Sequence, residues 1–461
     1  MTAPASPPAD SQPAFEYHEA LAALSARGRF GIRLGLGRTR ALLRELGDPQ
    51  LAVRGALVAG TNGKGSVLAL AGSVLRAAGL RVGATPKPHL VSYRERIAID
   101  GRPIAPADFT RHVEAVIAVA DRVSRRHGEP TEFELLTAVV FRHFAEAGLD
   151  VALVEVGLGG RLDATHTWDG GVAVVTNVDL DHMDRLGPTI AAIAREKAAI
   201  IERGDLAVTG ATGEALDIIG RRARRMAAPL TVVQPAILLG WDRDGIDVEL
   251  PGLGPTRVGL RGRHQAANVA VADALLDALA EAGIASADAE ARRRGYATAV
   301  WPGRLELLDV GAGREVLLDG AHNPAGAAAL AQALDDLRPH LAAGPLTLIV
   351  GSMADKDVDG VVSAMGATAA LRDATIIATS VDAPRAMPAA ELAARWRRIP
   401  GPATVTEVPD PIEAVETTRG TPGTTVVAGS LYLVGAVRAH LVDDPELRDP
   451  DSRAADPGAD R

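Results

Sequence analysis

Runs of β-branched apolar residues alternate with Ala- and Leu-rich stretches along most of this chain. That alternation constrains the fold most strongly, because strands separated by helix-length segments belong to an α/β fold with mostly parallel strands. The pattern predicts strands over 55–59, 151–156, 172–178, 206–209, 315–319, 346–350, 374–379 and 424–428. It predicts helices over 66–78, 107–126, 134–147, 189–202, 265–283, 325–337 and 431–441. A length of 461 residues suits two or three domains. The stretch 285–304 holds ARRRG and then WPGR, which places the main boundary near 298–303 and divides the chain into 14–300 and 301–442. Each half opens with a strand running into a Gly-rich loop and a helix. The Pro/Ala/Ser-rich 1–13 and the Asp/Arg/Pro-rich 443–461 read as disordered tails.

Composition removes several functions. There is no cysteine, so disulfides, thiolate catalysis and Cys-ligated zinc are excluded. A net charge of −9 lacks the positive footprint that nucleic acid requires, and 3% aromatic residues leave little for base stacking. No apolar run approaches the roughly 18–20 residues of a membrane helix. The N-terminal segment lacks a charged-then-apolar leader, so the expected address is cytoplasmic.

Four lysines stand among 49 basic residues, so arginine carries the general surface charge. Three of the four lie in the segments with the most chemistry: Lys64 in AGTNGKGSV, Lys197 in AREKAAI and Lys356 in GSMADKD. An ammonium is a compact charge that fits against phosphate and can react as a free amine, whereas a guanidinium stays protonated. The segment 55–79 reads strand, glycine loop, helix. Gly60, Gly63 and Gly65 let backbone N–H groups turn toward an anion, and the helix adds its positive end. Lys64 can reach the β/γ phosphates of a nucleotide, and Ser66 can offer a hydroxyl to Mg²⁺. The loop is not a strict Walker A sequence, since Val58 stands where glycine is required and Gly65 follows the lysine. A bare βα turn needs neither three glycines nor a rare lysine.

Strand ends supply acidic groups. Glu155 closes one buried strand, and Asp179, Asp181 and His182 follow another. Ligands of open α/β sheets bind at such carboxyl ends, and hard oxygen donors suit Mg²⁺. Each has a bland alternative on residue chemistry alone: Glu155 can pair with Arg161, His182 can be structural, and Lys197 can belong to a solvated helix surface beside Glu196.

The assembled motifs resemble those of the folylpolyglutamate synthase/dihydrofolate synthase family of the Mur ligase superfamily. They are AGTNGKGS (59–66), PT-x-FE-x-LT (130–137), EVGLGGRLDAT (155–165), HQ-x-x-N (264–268), WPGRLE (301–306), DGAHNP (319–324) and GSLYLVG (429–435). The resemblance implies a P-loop, Mur-ligase-type ATP-binding domain with a mostly parallel sheet. A smaller Rossmann-like C-terminal α/β domain, the glutamate-ligase domain, follows it. It implies that Thr61, Asn62, Gly63, Lys64, Gly65 and Ser66 hold the ATP phosphates, that Asn268 contacts adenine, and that Arg304 and Asp319 contact ATP with His322 nearby. Ser66, Glu155 and His182 match the family's Mg²⁺ ligands, and Lys197 matches a lysine that is carbamylated in relatives. K⁺ is a further cation the resemblance allows. Leu34, Gly35, Phe133, Leu162, Asp163 and Ala164 fall on segments that line the pterin pocket, and Lys356, Ser430 and Tyr432 on loops for the amino acid.

Departures from the family pattern touch the pocket edges. The usual TSPHL, whose serine helps to bind metal, reads TPKPHL here with Lys87 at the serine position. A charged ammonium cannot ligate a metal, but it can replace a cation electrostatically or pair with phosphate. GLER reads GLGR (35–38), and DATN reads DATH (163–166). The implied reaction is amide formation: a pterin-linked carboxylate takes the γ-phosphoryl group of ATP, and the L-glutamate amine displaces phosphate from the acyl phosphate. Dihydropteroate, a reduced folate or both are the implied acceptors, and a monomer is the implied state. The competing readings are a ligase acting on UDP-muramoyl peptides, a P-loop NTPase switch, and a pure binding module.

Overall fold

The computed structural model describes residues 15–28, 35–383 and 385–450. Leu34, the tail 1–13 and residues 451–461 lie outside the described residues. The first sheet has eight strands: β1 (Gly55–Ala59), β2 (Val82–Thr85), β3 (Ala98–Ile99), β4 (Arg102–Pro103), β5 (Val151–Glu155), β6 (Gly171–Val175), β7 (Leu206–Thr209) and β8 (Leu230–Val232). Their spatial order is β4-β3-β2-β5-β1-β6-β7-β8. Every pair from β2 to β8 is parallel, while β3 and β4 form an antiparallel edge. β9 (Ile237–Asp242), β10 (Gly245–Leu250) and β11 (Gly254–Val258) make a separate antiparallel sheet. The third sheet, ordered β12-β13-β17-β14-β15-β16, contains β12 (Glu306–Asp309), β13 (Arg314–Leu318), β14 (Leu346–Val350), β15 (Thr375–Ala378), β16 (Thr404–Glu407) and β17 (Gly423–Ala428). There β12 is antiparallel and the rest are parallel.

The central strands are largely apolar on both faces because helices cover both sides of the sheet; Glu155 and the Thr424–Thr425 pair are buried exceptions. Along β1, Leu57 and Ala59 pack with Phe109, Val113 and Leu135 of the helices Pro106–His127 and Glu132–Ala147. The alternate residues Ala56 and Val58 pack with Leu68, Leu70 and Val269 of the helices Lys64–Ala77 and Gln265–Glu281. The third sheet divides its core in the same way, with Leu317 and Leu348 on one face and Val316 and Ile349 on the other. In both parallel sheets a central strand, β1 or β17, has neighbours whose connections leave in opposite directions, and the loops beyond such strand ends open a crevice.

Several boundaries differ from the sequence pattern. The strand expected over 172–178 ends at Val175, because Thr176 and Asn177 turn their polar groups onto the loop after β1. The helix expected over 189–202 spans Ile190–Ala198. The pattern does not reveal β2 or the β9–β11 sheet, nor the helices Tyr17–Gly28, Gly213–Met226 and Ala289–Ala297. Residues 443–450 depart from the tail expected there. Buried Arg94 donates to Asp449 (2.8 Å) and to the carbonyls of Glu446 (2.8 Å) and Arg448 (3.0 Å). A buried guanidinium needs these acceptors, and they pin an otherwise polar segment.

Candidate active site

At the end of β1 the chain turns through Gly60–Gly63 into the helix that begins at Lys64. Gly63 has φ +81°, and a Cβ there would overlap Asn268 Oδ1. Glycine alone combines that conformation with so close a neighbour at no steric cost. The segment after β6 clamps the loop. The Asn62 N–H donates to Asn177 Oδ1 (2.9 Å), the Thr61 N–H to the Asn177 carbonyl (3.1 Å), and the Thr176 hydroxyl to the Asn62 carbonyl (2.6 Å). Residues 60–66 all line one cleft of about 1720 Å³, so the unpaired N–H groups of the helix start are presented to an anion there.

Two ammonium groups converge on this loop. Lys64 Nζ donates to the carbonyls of Gly60 (3.0 Å) and Thr61 (3.2 Å), and Lys197 Nζ to that of Gly60 (2.9 Å). Lys197 is 5% exposed, so it does not belong to a solvated helix surface. Burial, and then repulsion from Lys64, pulls its amine down to about 7. Its neighbour Glu196 pairs with Arg161 (2.9 Å), which leaves Glu155 without that partner.

Glu155, buried at the end of β5, faces Lys64 Nζ at 3.9 Å, and its Oε2 accepts the Lys87 N–H at 2.9 Å. Burial raises its carboxyl pKa, against the pull of Lys64 and Lys87. Lys87 Nζ donates to the Glu155 carbonyl, stands 3.4 Å from the Thr85 hydroxyl and lies 4.9 Å from the centre of the Phe133 ring. The enclosing walls lower its pKa to about 8, opposed by Asp163 and Glu155. Asp163 is turned toward its own chain, accepting the N–H groups of Leu158 (2.9 Å) and Thr165 (3.0 Å).

The second half meets the first across the cleft. Asp181 accepts from Lys356 Nζ (3.1 Å) and Asn323 Nδ2 (3.2 Å), and Asn323 also reaches Asn62 Oδ1 (3.3 Å). Burial works against the Asp181 charge, but His182, Lys356 and Asn323 together hold its pKa down to about 2. Asp319 follows β13 and accepts the N–H groups of Leu305 (2.9 Å) and Ala321 (2.9 Å). Arg304 donates to the Gly303 carbonyl (3.0 Å) and opposes the burial that raises the Asp319 pKa. His322 Nδ1 sits 2.8 Å from the Gly320 carbonyl, so it carries the proton and leaves Nε2 as an acceptor. Burial and Lys356 lower its pKa to about 4, and the ring is uncharged at neutral pH. Trp301 lies over Gly65, where any Cβ would meet the indole at about 3 Å.

The cleft thus gathers Thr61, Asn62, Gly63, Lys64, Gly65, Ser66, Phe133, Glu155, Leu162, Asp163, Ala164, His182, Lys197, Asn268, Arg304, Asp319, His322, Lys356 and Tyr432. Ser430 does not line it; its hydroxyl caps the following helix by accepting the Tyr432 N–H (3.2 Å). Gly35 is also absent from the lining. Sequence reasoning left Asn323, Trp301, Thr176 and Asn177 without a role. Asn323 and Trp301 stand inside quoted motifs, whereas nothing local marks Thr176 or Asn177 as a clamp on a loop more than a hundred residues earlier.

Among the described residues, no cluster of three or more His, Cys, Asp or Glu side chains is arranged to hold a metal. An ion here would depend on phosphate oxygens for most of its ligands, as Mg²⁺ commonly does. Ser66, in the first turn of the loop helix, fits that role. Among the described residues its hydroxyl meets Gln265 Nε2 at 3.4 Å, a long contact. Glu155 and His182 fit less well. The carboxylate is already flanked by Lys64 and Lys87, and the His182 ring is 45% exposed and drawn toward Asp181 at 3.8 Å.

Residues 58–227 match the Mur ligase middle domain, and residues 303–431 match the Mur ligase, glutamate ligase domain. The chain is 34% identical over 435 residues to the dihydrofolate synthase/folylpolyglutamate synthase of Bacillus subtilis, which spans 92% of this chain and 99% of that protein. Among solved structures, Mycobacterium tuberculosis folylpolyglutamate synthase complexed with ADP and AMPPCP aligns with a TM-score of 0.82 at 33% identity, over 93% of this chain and 100% of that one. The bifunctional folylpolyglutamate synthase/dihydrofolate synthase of Yersinia pestis complexed with AMPPNP and Mn ion aligns with a TM-score of 0.78 at 29% identity, over 94% and 99%. A cleft built between two parallel sheets around a glycine-lysine loop, together with this extent of similarity, shows that the chain belongs to the dihydrofolate synthase/folylpolyglutamate synthase family of Mur ligases.

Proposed function

We propose that the chain is an ATP-dependent ligase that joins L-glutamate to the carboxylate of a pterin-linked acceptor, either dihydropteroate or a reduced folate. The observation that carries this reading is the meeting of the Gly60–Ser66 loop and Lys64 with Arg304, Asp319 and Lys356 in one cleft. Phosphoryl transfer needs alignment and charge neutralisation more than covalent help. Lys64 would leave the Gly60 and Thr61 carbonyls for phosphate oxygens, and Arg304 would approach the same charge from the second half. Mg²⁺ on the Ser66 hydroxyl and the phosphates would supply further neutralisation. The acceptor carboxylate oxygen attacks the γ-phosphorus, the bond to ADP breaks, and an acyl phosphate forms. The glutamate amine then attacks the acyl carbon and expels phosphate, while its proton leaves to solvent or a base in the cleft.

The acceptor side is assigned to Phe133, Leu162, Asp163 and Ala164, and the amino acid side to Lys356 and Tyr432. Lys197 has an amine poised near neutrality beside the phosphate loop, which supports its reading as the carbamylated lysine. An acceptor labelled with ¹⁸O in its carboxylate provides the test. One ¹⁸O per turnover in the released phosphate is expected, and unlabelled phosphate would rule out the acyl phosphate route.

A further inference from the structure

One cation in the cleft has no part in that mechanism. Lys87 follows β2, whose Thr85 is paired alongside Val154 in β5, so that residues 85–87 run beside the end of β5 at Glu155. Its main-chain N–H occupies Glu155 Oε2 at 2.9 Å, while Lys64 Nζ faces Oε1 at 3.9 Å. Its own ammonium folds under the same residue, donating to the Glu155 carbonyl and lying 4.9 Å from the Phe133 ring centre. The Glu155 carboxylate is therefore taken by the Lys64 ammonium and the Lys87 N–H, while the Lys87 ammonium is held at the carbonyl of the same residue, toward the acceptor side.

We propose that the Lys87 ammonium takes the place of a divalent cation at Glu155, so that the cleft carries a single divalent ion per bound nucleotide, the one at Ser66. This inference rests on the ligase reading above. The physical reason is charge and ligand supply. A divalent ion on Glu155 would share it with two like charges and would find one carboxylate oxygen already engaged by an N–H donor. Mg²⁺ and Mn²⁺ demand oxygen ligands in near-octahedral array, and an ammonium supplies none. The ammonium also sits next to Phe133, on the acceptor side. There it neutralises charge on the acceptor carboxylate independently of the metal concentration, fixed in place by the Glu155 carbonyl and the ring face.

Counting Mn²⁺ by electron paramagnetic resonance on the full chain, titrated with a non-hydrolysable ATP analogue, tests this directly. One Mn²⁺ per protein–analogue complex is expected in the wild type. Two are expected in Lys87→Ser, which removes the charge and adds a hydroxyl. Lys87→Arg, which keeps the charge, should retain one. Two Mn²⁺ in the wild type, or one in both the wild type and Lys87→Ser, would overturn the inference and leave the ligase reading standing. Should Lys87→Ser not fold, Lys87→Thr likewise removes the charge and adds a hydroxyl, and carries the same expectation. A wild-type protein that binds neither the analogue nor Mn²⁺ would instead overturn the ligase reading, and this inference with it.

Discussion

Replacing Gly63 by Ala puts a single methyl group where the structure has no room for one. The backbone stands at φ +81°, and the new Cβ would run into Asn268 Oδ1. An L-residue in this left-handed region costs about 1–2 kcal/mol. Pushing Asn268 aside also breaks its 2.8 Å hydrogen bond to Gln265 Oε1, worth about 1 kcal/mol. The total of about 2–3 kcal/mol must appear either as lost stability or as an opened loop that no longer aims its N–H groups at phosphate. In the second case ADP binding weakens by roughly 30- to 140-fold, since each 1.4 kcal/mol is a factor of ten. Calorimetric ADP titration together with denaturant unfolding of Gly63→Ala separates the two. Adding Asn268→Ala removes the overlap but deletes the same hydrogen bond, so the double variant should lose about as much as Gly63→Ala alone, about 1 kcal/mol less than the sum of the two single losses. Wild-type affinity and wild-type stability in Gly63→Ala would refute the reasoning.

Arg304→Ala removes a guanidinium that faces Asp319 and Glu155 from the second half. Turnover should fall by about 10²- to 10³-fold with the fold intact, as measured by steady-state ADP release and circular dichroism. Lys197→Met should lose about 10²-fold in turnover, and competitive amine labelling of the wild type in CO₂-free buffer, where the amine is free, should place the Lys197 titration near 7 rather than near the ordinary 10.5. Asp181 links the halves through Lys356 and Asn323, with its pKa held at about 2 against an ordinary 3.8. Because the folded value is the lower one, its stabilisation is fully present above about pH 4 and is lost as pH falls through 2. The stake is roughly 2 kcal/mol, and Asp181→Asn should flatten that acid limb of the unfolding curve.

The parallel core was legible because strands buried on both faces are predominantly apolar, and every strand and helix expected in the sequence has a counterpart in the structure. What escaped was set by tertiary contact. The four-residue β2 has Gly83 pressed against Phe144 and carries little periodicity of its own. In the β9–β11 sheet only β10 alternates cleanly, burying Ile246, Val248 and Leu250, while β9 exposes Ile237 and Leu239 and β11 is largely polar. The site was legible where chemistry demands a particular residue type, as at Lys64, Gly63 and Glu155. It was opaque where a role depends on partners far along the chain. Asn177 holds the Asn62 N–H, Asn323 bridges the halves, and Ser430 turns its hydroxyl into a helix cap rather than toward the cleft. The bland alternatives for Lys197 and Glu155 fell on burial and pairing, two properties that no local sequence displays.

The most direct test of the account is the mass of the product formed by the purified chain with ATP, Mg²⁺ and L-glutamate, offered dihydropteroate and tetrahydrofolate in parallel. The account predicts an acceptor heavier by one or more glutamyl residues, formed in step with ADP and only when glutamate is present. Release of ADP at the same rate without glutamate, with both acceptors returned unchanged, would contradict it.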